Sequence, residues 1–184
     1  MPPKLQSPVT PKKPRGLASK AKDKPPKQIG PDFQNEYSLI EKQMNITRLG
    51  HFKVYLKNMT FKWTHGQNRP LAPDSQTAPL KLSMEQGVRR TDWMHRMHGI
   101  VSKTALEGAI LSESTKKKVP ISNVAALNAK AEFPVIDPKS NIMIEMQSGQ
   151  HRMAILKGLY NGKPDEHWWL VTIFNNGISM YDSF

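Results

Sequence analysis

The sequence predicts an α+β domain behind a disordered basic N-terminal tail, and three stretches carry that prediction. Residues 168–174 (WWLVTIF) are aromatic or β-branched almost throughout and read as a strand. Between 142 and 160 the apolar period changes. Ile142, Ile144 and Met146 alternate as in a strand, whereas Met153, Leu156 and Tyr160 recur at helical spacing after Ser148-Gly149. Residues 1–30 hold seven of the fifteen prolines, eight Lys and Arg against Asp23 alone, and almost no large apolar side chain. Such a segment buries too little surface to offset the entropy of ordering. The expected organisation is a tail over residues 1–31 and one domain over 32–184, shortened at its C-terminal end.

The remaining elements follow in chain order. Asn35 caps a short helix through Met44, with Tyr37, Ile40 and Met44 on one face. Residues 51–57 alternate basic and apolar side chains, which puts Phe52, Val54 and Leu56 on one side of a strand. Phe61 and Trp63 continue in a second extended piece. Residues 64–79 read as a polar, proline-bearing loop and 80–87 as a short helix stopped by Gly87. Residues 97–102 form a strand, 112–120 a charged loop, and Ser122 caps a helix through Lys130 with Val124 and Leu127 inward. Residues 133–136 and 142–147 are expected to pair as a hairpin across the turn at 137–141. The turn at 161–164 (NGKP) leads into the strand at 168–174, and 175–177 (NNG) turns into a last strand at 178–181.

Composition excludes whole classes of chemistry. The chain has no cysteine, so disulfides, thiolate metal sites and cysteine catalysis are ruled out. No run reaches the ~18 apolar residues of a membrane span, and no apolar signal-peptide core opens the chain, so the expectation is an intracellular protein, nuclear or cytoplasmic, with no membrane partner. The net charge of +12 is concentrated in the tail. Pro11-Lys-Lys-Pro-Arg15 has the form of a short nuclear-import signal, and Lys12, Lys13 and Arg15 would also hold nucleic-acid phosphates without reading sequence. A solubilising leader with no partner is the alternative. His95 and His98 lie three apart near Asp92 but lack a third strong ligand in sequence, so no metal site is expected.

The junction from Glu145 to Ala154 is suited to an anion. The first free N–H groups of a helix point outward at the positive end of its dipole, Gly149 permits close backbone approach, and His151 and Arg152 add donors to the same place. It also reads as an ordinary turn, with Ser148 as a cap and Arg152 in solvent.

Two separated blocks resemble the ParB/sulfiredoxin-like superfamily. Ser148-Gly-Gln-His-Arg152 is similar to its phosphate-binding box, which reads Gly-Glu-Arg-Arg in ParB partition proteins and Gly-Cys-His-Arg in sulfiredoxins. Upstream, Gln67-Asn-Arg-Pro-Leu71 and Leu82-Ser-Met-Glu-Gln-Gly-Val88 resemble the first ParB box, an Arg-bearing loop leading into a helix. The likeness runs from about Phe52 to Phe174 at motif level, with longer spacing between the boxes than in a typical ParB. A Gln in the second box also resembles uncharacterised fungal members, often longer chains. The resemblance implies a small mixed sheet flanked by helices, with Ser148, Gly149, Gln150, His151 and Arg152 on the phosphates of a nucleotide and Arg69 from the facing loop. Gln150 stands where sulfiredoxins carry their catalytic cysteine, which rules out sulfinic-acid reduction. The short stretch after the box leaves no room for a ParB-like helix-turn-helix.

The function expected is therefore nucleotide or polyphosphate binding, with phosphohydrolase or phosphotransfer chemistry left open. A nucleoside triphosphate with Mg2+ is the cofactor if such chemistry occurs. Glu85 and Glu145 are the carboxylates nearest the two boxes and the only catalytic candidates. Arg89, Arg90 and Arg96 either add positive potential to the same cleft or form a solvated basic face. The alternative function is a nucleic-acid-associated module using the basic tail and cleft, without nucleotide chemistry.

Overall fold

A computed structural model describes residues 31–64 and 70–176, with the side chains of 31–37 and 40 excepted. Lys12, Lys13, Arg15, Arg69 and the expected strand at 178–181 lie outside the described residues. The chain forms a mixed α/β domain with five helices, α1 (Pro31–Thr47), α2 (Asp74–Gln86), α3 (Lys103–Leu106), α4 (Val124–Ala129) and α5 (Gln150–Leu159), among the described residues. Seven strands, β1 (Arg48–Tyr55), β2 (Met59–Thr60), β3 (Met97–Val101), β4 (Ile110–Leu111), β5 (Val135–Ile136), β6 (Ile144–Met146) and β7 (Trp168–Asn175), make one sheet in the order β2-β6-β3-β7-β1-β5-β4.

The run at 168–174 becomes the central strand. β7 pairs antiparallel with β1, from Arg48↔Phe174 to Tyr55↔Trp168, and parallel with β3, from Met97↔Val171 to Val101↔Asn175. Side chains alternate across these strands, so one face collects Phe52, Val54, Met97, Val101, Trp169, Val171 and Ile173, all buried. Met84 of α2, Val124 of α4, and Met153 and Leu156 of α5 complete that core. Burying side chains of this size contributes roughly 1.5–3 kcal/mol each. Helices α2, α4 and α5 therefore cover one side of the sheet. The other side carries His51, Lys53, Tyr55, Arg96, His98, Ile100, Glu145, Thr172 and Phe174 in the alternate register.

Three sequence expectations need correction. Residues 133–136 and 142–147 do not form a hairpin: β5 pairs with β1 and β4, whereas β6 pairs parallel with β2 and antiparallel with β3. The buried Asn58 side chain donates to the Ser140 and Ile142 carbonyls, at 3.3 and 3.1 Å, and holds the 137–142 segment beside β2 instead. The second helix begins at Asp74 rather than Leu80, with Pro79 inside it. Proline fits the helical φ and forfeits one hydrogen bond, so it did not mark the end of the preceding loop. Phe61 and Trp63 follow the two-residue β2 outside any strand.

Candidate functional site

The junction after β6 is held from three sides. Gln147 N–H donates to the His98 carbonyl at 2.8 Å, and His98 N–H donates to Ser148 Oγ at 3.0 Å, so Ser148 prolongs the β3–β6 ladder through its side chain. It does not cap the helix. Gly149 occupies that position with φ 95° and brings no side chain to it. A Cβ on Gly149 would lie 1.8 Å from Met97 Sδ. The close approach that demands glycine is thus to the sheet beneath it.

His151 Nε2 accepts the Ala72 N–H at 2.8 Å, which leaves Nδ1 to carry the ring proton and draws the loop before α2 against the first turn of α5. Arg152 donates to the His95 carbonyl at 3.2 Å, and Trp169 Nε1 donates to the same oxygen at 2.7 Å. Gln150 is half-buried at the first position of α5.

Arg152 also lines a cleft of about 270 Å³ with Ser83, Gln86, Arg89, His95 and Trp169. Residues of both sequence blocks meet there, and none of the lining residues is acidic. Of the three flanking arginines, only Arg89 joins the cleft. Arg90 stacks near Trp168 and Tyr160, 4.8 and 5.0 Å from the ring centres, and pairs with Glu166 at 2.8 Å, holding that carboxyl below its usual range. Arg96 turns to the other face of the sheet. The carboxylate candidates stay apart from the cleft. Glu85 is exposed on α2 and does not line it. Glu145 faces the opposite side, in register with Ile100, and accepts hydrogen bonds from Thr64 N–H and Oγ1 at 3.0 and 2.5 Å. His95 and His98 also part company, one at the cleft and one on β3. Among the described residues no group of three or more His, Cys, Asp or Glu could hold a metal, and no helix is long and apolar enough to cross a membrane.

A cluster that sequence reading missed lies on the far face. His51, Thr172 and His98 align in one row across β1, β7 and β3. His51 Nε2 meets Arg96 at 2.9 Å and Nδ1 meets Thr172 Oγ1 at 3.0 Å. Arginine only donates, so Nε2 accepts and Nδ1–H donates to the threonine. Asn128 of α4 brackets the backbone of His51, accepting its N–H at 2.7 Å and donating to its carbonyl at 3.0 Å. The alternating basic residues at 51–57 were the only sequence signal for this face.

Burial, followed by the charges of Arg96, Arg48 and His98, pushes the His51 pKa from 6.5 down to about 4. The folded protein thus resists a proton that the unfolded chain takes up below pH 6.5. The contribution of this group to stability is present above pH 6.5 and is lost progressively as pH falls toward 4. Thermal midpoints of wild type and His51→Gln should accordingly converge or cross between pH 6.5 and 4, because glutamine keeps a donor and an acceptor but does not titrate. Parallel profiles would show that His51 takes up its proton equally in both states.

Residues 49–182 match the family described as "Protein of unknown function (DUF3723) N-terminal domain". The chain belongs to that family. The DUF3723 N-terminal domain so delimited contains the whole cleft and all of the far-face cluster except Arg48. No curated protein and no solved structure matches the chain.

Proposed function

We propose that this DUF3723 domain binds the phosphate groups of a nucleotide in the cleft between α2 and the first turn of α5. The observation that carries the reading is the cleft wall itself: Ser83 and Gln86 of the first block and Arg152 of the second meet there with Arg89 and His95, without a carboxylate. Two arginines from different segments can clamp a polyphosphate with charge-assisted, bidentate hydrogen bonds. The ParB/sulfiredoxin-like resemblance supports the same placement. Ala72, bonded to His151, brings the described end of the loop that bears Arg69 against α5. Magnesium would enter on the oxygens of a triphosphate and its waters, the usual mode for this ion. Hydrolysis or transfer would be an added property, since neither Glu85 nor Glu145 reaches the cleft. The compartment that fits this reading is intracellular, nuclear or cytoplasmic.

Isothermal titration of ATP, CTP, GTP and ADP, each with and without magnesium, tests it. Arg152→Ala should weaken saturable binding by about 1.5–3 kcal/mol, the usual worth of a hydrogen bond to a charged group. The His95 carbonyl keeps its bond from Trp169 in that variant, so folding survives. Arg89→Ala should act in the same direction. Absence of saturable binding by every nucleotide to folded wild type would overturn the proposal.

A further inference from the structure

The face of the sheet opposite α2, α4 and α5 presents cations and rings together. His98 is exposed on β3 and its ring centre lies 5.9 Å from that of Phe174 on β7, with the planes tilted by 51°. Arg48 stands beside Phe174 in register on β1. Arg96 lies 5.9 Å from the ring centre of Phe133, and its buried Nε has no hydrogen-bond partner. The charges acting on His51 are Arg96, Arg48 and His98, all of one sign when protonated. At the other end of the face the cations are compensated, Lys53 by Glu113 and Arg90 by Glu166. Among the described residues, Arg48 and Arg96 at the end that carries Phe174 and His98 have no such ion pair, and the carboxylate of that end, Glu145, stands two strands from Phe174 and is held by Thr64.

We propose that this face, from the exposed Arg48 and half-buried Phe174 to the exposed His98 and half-buried Arg96, is a platform for single-stranded nucleic acid. The site is distinct from the cleft in residues and in side of the sheet. A bare phosphate ligand has no use for Phe174 and His98, and an apolar peptide would not favour Arg48 and Arg96 without acids. A single strand satisfies both, because its phosphates take the guanidinium groups and its unstacked bases lie on the rings. A duplex has its bases stacked inside and cannot offer them to a sheet face.

Fluorescence anisotropy of full-length protein with labelled oligothymidylate, its RNA counterpart, a duplex of mixed sequence and heparin separates stacking from charge. Phe174→Ala and His98→Ala should each weaken oligothymidylate binding about 5- to 150-fold, the range for losing one base-stacking ring, and leave heparin binding within about twofold. Arg48→Ala should weaken both probes and lower the salt slope for oligothymidylate by about one. His98 is exposed, so its variant folds even where Phe174→Ala does not. Unchanged oligothymidylate binding in His98→Ala, an equal loss toward heparin, or duplex binding as tight as single-strand binding would overturn the proposal.

Discussion

Gly149→Ala is expected to lower the free energy of unfolding by about 2–5 kcal/mol in equilibrium denaturation. Two causes add. A φ of 95° strains any residue with a Cβ by roughly 1–2 kcal/mol, and the new methyl would meet Met97 Sδ at 1.8 Å and Cγ at 2.6 Å. Met97 is fully buried between β7 and α5, so its side chain can yield only by disturbing the core, at a further cost of about 1–3 kcal/mol. Gly149→Asn distinguishes the causes. Asparagine tolerates the left-handed backbone but carries the same Cβ, so backbone strain alone predicts a mild effect and the clash predicts a severe one. The double variant Gly149→Ala, Met97→Ala should then cost less than the sum of its parts. Strict additivity would show that Met97 is not what requires glycine here. The same measurement bears on function, since Gly149 fixes where the first turn of α5 begins.

The parts of this fold legible in sequence are those whose signal is local. The β7 run is apolar on both faces because it lies between β3 and β1 in the middle of the sheet, and the change of period at Ser148-Gly149 marks a real strand-to-helix junction. β2 and β4 are two residues long and carry no period. The 133–136 and 142–147 segments looked like a hairpin because a turn separates them, yet Asn58, distant in sequence, decides where the second segment goes. The cleft was half legible. The two blocks pointed at each other, but which of Arg89, Arg90 and Arg96 enters depends on a turn at 93–95 and on the direction of β3. Of the far-face row of His51, Thr172 and His98, only the basic alternation that starts at His51 was legible. The row is assembled from three strands whose mutual register is a tertiary property.

The second large effect is expected at Trp169, where core and cleft share one residue. Trp169→Ala should cost about 3–5 kcal/mol, because the indole is 2% exposed and its removal leaves a cavity in the core cluster to which it belongs. Trp169→Phe isolates the polar part. It keeps much of the apolar volume and loses the 2.7 Å bond from Nε1 to the His95 carbonyl, which then depends on the 3.2 Å bond from Arg152. A cycle of Trp169→Phe and Arg152→Ala measured by denaturation should show a coupling of about 0.5–3 kcal/mol, with the double variant worse than the sum. Coupling of that sign means that Arg152 is oriented by the same carbonyl that anchors the central strand, and that any ligand drawing its guanidinium into the cleft works against that bond. Additive costs would instead release Arg152 from its structural tie, and its whole hydrogen-bonding capacity would then be open to phosphate.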